Sequence, residues 1–243
     1  MRLGKIIGVG NTATVYELGD QKVLKLFKGG YPDEAVETEY HNAMTIRDMN
    51  FLKPKAYEMI FCEERTGIIY DKIEGQSLLD WVMKTQDIEQ CAIYMANLHK
   101  TIGQNRISNV PNYKDFLKYH IQNASLSLDR LNDIIQMIDQ LPNGNTLCHG
   151  DFHPGNILLY DDKVYTIDFM NICCGDFLYD IARTVYLVQF TPIPPEAKDK
   201  EMMLYLKNTL TDLYLKQMNV TREMIQDYLF VIAAARKGEC PNE

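Results

Sequence analysis

The chain has no surplus of positive charge. Its formal net charge is −8 over 243 residues, and a nucleic-acid partner would want a basic face. The acidic excess is spread along the chain, heaviest between residues 75 and 174, so there is no acidic tail. Long hydrophobic runs are missing too. The longest, Tyr228 to Ala235, falls far short of the ~20 residues that span a bilayer. The opening MRLGKIIGVG lacks the basic-then-apolar pattern of an export signal. Cysteines occur at 62, 91, 148, 173, 174 and 240, with no CxxC pair among them. The adjacent Cys173 and Cys174 suit neither a metal site nor a structural disulfide, so all six are expected as reduced thiols of a cytoplasmic protein. No GK[ST] follows the first glycines, which excludes a Walker loop. Repeats and low-complexity tracts are absent as well.

What remains is an ordinary soluble composition, 46% apolar and 24% charged. The length suits one large domain or two lobes sharing a cleft. The first 75 residues read mostly as strands: Leu3–Ile7, Thr14–Leu18, Lys22–Phe27, Pro54–Cys62 and Gly67–Ile73. One helix, Asp33 to Asp48, interrupts them, with Pro32 and Asp33 at its start. Gly75 and Ser77 in EGQSLLDW mark a change of texture, and helices dominate afterwards. Asp87 to Gly103 carries the clearest helical stripe, with Asp87 as N-cap and Gly103 as C-cap. Two further helices precede Pro142, and Gly175–Phe190, Glu196–Met218 and Arg222–Lys237 read as three more. The expectation is an α+β, bilobal chain: a small β-rich lobe over 1–73 and a larger, mostly helical lobe over 74–243, with a ligand cleft between them.

Three stretches carry chemistry. GVGNTATVY (8–16) joins two strands, and Gly8 and Gly10 would let backbone N–H groups approach a ligand; an ordinary β-turn explains them equally well. Lys25 lies in the apolar run VLKLF, with its side chain opposite to Leu24 and Leu26. If buried it needs an anion, and Glu37 or Glu39 on the next helix could supply one. The densest stretch is LCHGDFHPGNILLYDDKVYTIDF (147–169), where Asp151, His153 and Asn156 share a loop and Asp168 ends a second apolar run. Two carboxylates and an amide oxygen are hard ligands suited to Mg²⁺. A zinc reading from His149 and His153 lacks further nitrogen or sulfur ligands at useful spacing, Cys148 apart.

Glycine hairpin, strand lysine, helix glutamate, hinge, then D-x₄-N and a later Asp is the order of parts for phosphoryl transfer. HGDFHPGN followed by IDF, with GDFLYDIAR (175–183) after it, resembles the aminoglycoside phosphotransferase family, which includes choline-kinase-like enzymes and shares the protein-kinase-like fold. The resemblance runs from about Leu3 to Arg183. It implies an ATP- or GTP-dependent phosphotransferase acting on a hydroxyl of a small molecule such as an aminoglycoside, amino sugar or amino alcohol. It also implies roles by position. Asp151 would be the catalytic base, and Asn156 and Asp168 the Mg²⁺ ligands. Lys25 would contact the α- and β-phosphates, with Glu39 as its ion-pair partner. Tyr70 would back the adenine pocket, with the backbones of Asp71 and Ile73 hydrogen-bonding the base. His149 would brace the loop, and His99 would be structural. His153 could brace the loop or, if charged, meet the γ-phosphate; its apolar neighbours Phe152 and Pro154 favour bracing.

The chain also departs from protein kinases. It writes HGDxHxxN for HRDxKxxN, no Gly follows Phe169, and no APE-like segment appears. Ala13 stands near where a third hairpin glycine would fall. The stretch between Phe169 and Asp176 is too short for an activation loop, which favours a small-molecule acceptor over a minimal atypical protein kinase. A nucleotide-binding protein without turnover is the remaining alternative.

Overall fold

A computed structural model describes residues 3–193 and 199–241. Five antiparallel strands come first: β1 (Ile6–Val9), β2 (Ala13–Leu18), β3 (Lys22–Phe27), β4 (Ala56–Cys62) and β5 (Arg65–Asp71), in the order β1-β2-β3-β5-β4. Helix α1 (Asp33–Thr45) packs on β4 and β5. Alternation along β3 decides what faces where. Val23 and Phe27 join the main core with Val36 of α1, whereas Leu24 and Leu26 form a second small core with Cys62 and Ile69. Lys25 therefore lies on the α1 face, as its position between Leu24 and Leu26 requires.

The sheet stops at Asp71, and β6 (Gln76–Ser77) already pairs with β8 (Ile157–Tyr160), which pairs with β9 (Lys163–Thr166). The turn between β8 and β9 puts Asp161 and Asp162 at φ 49° and 57°, the left-handed pair of a tight hairpin. Helices fill the rest: α2 (Leu78–Thr85), α3 (Ile88–Gly103), α4 (Tyr113–Gln122), α5 (Leu128–Gln140), α6 (Phe177–Gln189), α7 (Lys200–Met218) and α8 (Gln226–Glu239). Ser77 and Asp87 cap α2 and α3 by accepting the Asp80 and Gln90 N–H groups. A short pair, β7 (Thr146–Cys148) with β10 (Cys173–Gly175), sets Cys148 opposite Cys173, both as free thiols. No helix among the described residues is long and apolar enough to cross a membrane.

Three sequence expectations need correction. Strand β1 begins at Ile6, later than Leu3, and α1 ends at Thr45 because the chain turns there to bury Ile46 completely. Gly103 is the last helical residue and not the C-cap; Gln104 caps, in a right-handed conformation. Glycine is needed at 103 for space, since a Cβ would lie 2.4 Å from the Phe177 ring. Of the helix expected over Glu196–Met218, residues 196–198 lie outside the described residues, and the rest is α7.

Near the end of α8 another glycine makes a closer approach. A Cβ at Gly238 would stand 1.9 Å from the His120 carbonyl oxygen of α4. Backbone cannot yield as a side chain can, so Gly238→Ala forces α8 away from α4. The expected cost is about 1–3 kcal/mol, read as a lower urea midpoint at unchanged m-value. An unchanged midpoint would mean that this crossing is not close-packed.

Candidate active site

The α1 face of β3 brings Lys25 to Glu39. The Lys25 Nζ donates to Glu39 Oε1 at 2.7 Å and Oε2 at 2.8 Å, and to Asp168 Oδ1 at 3.1 Å. Glu39 is 1% exposed and also accepts the Tyr70 hydroxyl at 3.0 Å. Of the two candidate partners for Lys25, the described contacts are with Glu39. Burial opposes the Lys25 charge, but Asp168 and Glu39 outweigh it and raise the pKa. At Asp168 burial likewise opposes the charge, and Lys25 overcomes it, holding the carboxyl below its ordinary range. Glu39, the most enclosed of the three, is pushed upward by burial, with Lys25 working against the shift. Asp168 sits at φ 68°, a left-handed conformation uncommon for a residue with a Cβ. The residues after it are tied to α1, whose Asn42 Nδ2 donates to the Phe169 carbonyl at 2.8 Å and the Met170 carbonyl at 3.3 Å.

The loop after β7 is held from below by α6. Asp180, wholly buried, accepts the His149 N–H at 2.6 Å and the Gly150 N–H at 2.9 Å. Its Oδ2 also meets His99 Nε2 at 2.9 Å, and a carboxylate can only accept, so Nε2 carries the proton. Tyr214 OH lies 2.6 Å from the other nitrogen of His99. Burial would raise the Asp180 pKa, but these partners, His99 foremost, bring it below the ordinary range. One turn further along α6, the Arg183 Nε donates to the Gly150 carbonyl. Gly150 has φ 74°, and a Cβ there would lie 2.1 Å from the Asn171 oxygen, so only glycine fits.

His149 is neutral by its bonding. Its Nδ1 accepts the Asp151 N–H at 3.3 Å, which leaves Nε2 to donate to Thr166 Oγ1 at 2.7 Å. Burial also lowers its pKa. The His153 Nδ1 accepts the Gly155 N–H at 3.1 Å and so caps the 3₁₀ turn at 154–156. That acceptor role needs an unprotonated Nδ1, and it fits bracing. The His153 Nε2 lies 3.8 Å from Asp151 Oδ2, with both side chains partly open to solvent.

Asp151 and Asn156 meet directly. The Asn156 Nδ2 donates to Asp151 Oδ2 at 2.9 Å and to the Asp151 carbonyl at 3.0 Å. With its amide nitrogen spent, Asn156 presents Oδ1; Asp168 has Oδ2 left after Lys25. The Ile167 N–H donates to the Asn156 carbonyl at 3.0 Å, which ties the Asn156 and Asp168 segments together. Among the described residues no group of three or more His, Cys, Asp or Glu is placed to hold a metal. Two hard oxygens fit Mg²⁺, which keeps waters and substrate phosphates as its other ligands, and do not fit zinc.

The remaining candidates are less committed. The Gly10 N–H donates to the Ala13 carbonyl at 2.8 Å, so it closes the hairpin turn and is not free for a ligand in this conformation. Gly8 pairs with Val15, and neither glycine has a positive φ. The Asp71 N–H goes to the Lys55 carbonyl at 3.0 Å, and its carboxylate accepts the Tyr57 hydroxyl at 2.6 Å and the Lys55 N–H at 3.0 Å. The Ile73 carbonyl accepts the Gly75 N–H at 3.1 Å.

Sequence reasoning missed Asn42, Asp180 and Arg183. A signal for two of them was present: LYDIAR places an acid and a base three apart inside an apolar helical stretch, where neither can be left unpaired.

The depressed Asp180 pKa has a defined acid signature. A carboxyl whose folded pKa lies below its unfolded value stabilises fully above that unfolded value, near pH 4, and loses this as pH falls through the folded value. Asp180→Asn should lower unfolding free energy at pH 7 by about 3 kcal/mol or more. The gap to wild type should shrink below about pH 4. Urea midpoints measured against pH check this; a gap constant down to the lowest pH would place the acid sensitivity elsewhere.

Comparison with known proteins bears on the fold and the family. No curated protein matches the chain by sequence. Solved structures do match in fold. The amicoumacin kinase hAmiN, in complex with AMP-PNP, Ca²⁺ and amicoumacin, superposes with a TM-score of 0.63 at 16% identity, over 97% of this chain and 79% of that one. Aminoglycoside phosphotransferase APH(3'')-Id from Streptomyces rimosus, with ADP and streptomycin, gives 0.59 at 14% identity, over 91% and 90%. A choline/ethanolamine kinase family protein from Mesorhizobium loti gives 0.60 at 11% identity, over 98% and 81%. These likenesses establish a kinase-like fold. The model of the phosphotransferase enzyme family matches residues 4–206. The chain belongs to the phosphotransferase enzyme family.

Proposed function

We propose that the protein transfers the γ-phosphoryl group of ATP or GTP to a hydroxyl of a small molecule, working with Mg²⁺ in a reducing cytoplasm. Residues 1–73 would serve as the nucleotide-binding lobe and 74–243 as the catalytic and acceptor-binding lobe. The observation that carries the reading is Lys25 placed between Glu39 and Asp168, on elements far apart in sequence, beside the Asp151–Asn156 pair.

In this reading Asp151 accepts the hydrogen bond of the acceptor hydroxyl and takes its proton as the new O–P bond forms. Its Oδ2 is occupied by Asn156, and its Oδ1 has no partner among the described residues. Asn156 holds the carboxylate in place through Nδ2 while its Oδ1, with Asp168, would hold Mg²⁺. When bound, the ion neutralises phosphate charge. Lys25 has three donors, and its longest bond, to Asp168, is the one a phosphate would replace. Tyr70 forms part of the pocket wall behind the base, and the Asp71 carbonyl and Ile73 N–H are the groups left for it. Gly8 and Gly10 lie in the hairpin over the phosphates. His149 and His153 act as braces. The family's acceptors favour a cationic hydroxyl compound, an aminoglycoside, amino sugar or amino alcohol.

A minimal protein kinase is disfavoured, since β10 begins only five residues after Asp168 and leaves no room for a peptide platform. A non-catalytic nucleotide binder would have little use for Asp151 and Asn156 together.

The test is a screen of hydroxyl-bearing metabolites and antibiotics, alongside protein acceptors, with Mg·ATP and Mg·GTP. A small-molecule phosphomonoester is expected, and Asp151→Asn should lower its rate of formation by about 10²–10⁴-fold with nucleotide affinity nearly unchanged. Phosphorylation of protein acceptors alone would support the protein-kinase alternative. A variant that keeps more than about a tenth of the rate would remove Asp151 from the base role.

A further inference from the structure

The last described helix, α8, meets the 147–156 loop through Arg183. Arg183 is 1% exposed, and its guanidinium works in two directions. Nε holds the Gly150 carbonyl, while the two terminal nitrogens meet Glu239 at 3.2 Å (Oε2) and 2.5 Å (Oε1). Phe116 of α4 covers the guanidinium face at 4.8 Å. Glu239 ends α8, is 13% exposed, and takes a further contact from Arg236 at 3.2 Å. Burial would raise its pKa, but Arg183 holds it below the ordinary range. The contact is set by close helix packing, because the neighbouring Gly238 presses on the His120 carbonyl of α4.

The carbonyl that Arg183 holds belongs to the peptide joining Gly150 to Asp151. That peptide and the one before it are fixed at three points. The Gly150 N–H is on Asp180, the Gly150 carbonyl on Arg183, and the Asp151 N–H on His149. Asp180 and His149 have further buried partners in His99 and Thr166. Arg183 has Glu239. A buried guanidinium keeps one orientation only while its charge is paired, and the bidentate fork defines that orientation.

We infer that Glu239 is a positioning residue for phosphoryl transfer: it orients Arg183, and Arg183 sets the peptide plane from which the Asp151 side chain departs. This rests on the reading of Asp151 as the group that meets the acceptor. The end of α8 thereby belongs to the catalytic apparatus, although it contributes no group to the cleft. A purely structural ion pair would lower stability alone. A positioning pair must also change turnover with little change in nucleotide binding, because Lys25 and Glu39 stand on other elements.

The experiment compares wild type, Glu239→Gln and Glu239→Asp at a temperature where all are folded by circular dichroism. Two readouts are taken: amide hydrogen exchange of the 147–156 segment, and steady-state hydrolysis of Mg·ATP or Mg·GTP with water as acceptor. For Glu239→Gln, exchange at Gly150 and Asp151 should quicken by about tenfold or more, with amides of β2 and β3 unchanged. Its kcat should fall by about tenfold or more while KM for nucleotide stays within about twofold. Glu239→Asp, which keeps the charge on a shorter arm, should recover part of both. Wild-type exchange in the loop together with unchanged kcat, even at a lowered melting temperature, would overturn the inference. So would a rise in KM alone. If Glu239→Gln does not fold, Glu239→Asp decides by the same two readouts. A wild-type protein that turns over neither nucleotide counts against the proposed function, and the exchange readout still judges Glu239.

Discussion

One ammonium between two carboxylates organises this molecule. Lys25 reaches Glu39 on α1 and Asp168 beyond β9, and so ties the sheet to the end of the 147–169 stretch. Removing either charge of a buried pair leaves the other uncompensated, at a cost of about 3–5 kcal/mol. That accounts for an acid at 1% exposure facing a lysine inside a strand. It also leaves this cluster short of positive charge. Glu39, Asp168 and Asp151 outnumber Lys25, and a polyphosphate brought to such a site needs a further cation. The hard oxygens of Asn156 and Asp168 are suited to one.

The second constraint is that two carboxylates of the candidate site stay partly open to solvent while their supports are buried. Asp151 and Asp168 keep 25% and 33% of their side-chain surface. Beneath them Asp180, His99, His149 and Arg183 are almost wholly enclosed, each with hydrogen-bonded partners. The exposed groups are therefore positioned by backbone that cannot easily move. Gly150 is where this matters most, because its left-handed φ and the adjacent Asn171 carbonyl admit no side chain.

Much of this was legible in the sequence, for local reasons. Alternation in VLKLF placed Lys25 on the face opposite Leu24 and Leu26, and the helix at Asp33 supplied Glu39. Asp87 and Ser77 were legible as caps because capping depends on neighbours in sequence. The cluster of Asp151, Asn156 and Asp168 stood out as polar groups between apolar runs. What was not legible depends on tertiary approach. Gly103 resembles a helix stop, and only the Phe177 ring shows that it is a point of close contact. Gly10 looks like a ligand loop until its N–H is found on Ala13. Arg183 pairs with Glu239 fifty-six positions away, a distance no spacing rule spans.

The most direct test of the account is whether nucleotide binding depends on Mg²⁺ through Asp168. Calorimetric titration of ATP and GTP into wild type and Asp168→Ala, each with and without Mg²⁺, measures this. The account predicts that wild type binds at least one nucleotide about tenfold or more tightly with Mg²⁺, and that Asp168→Ala loses this dependence. Equal affinity in the variant and wild type with Mg²⁺ present would contradict it and place the metal, and with it the phosphate site, elsewhere.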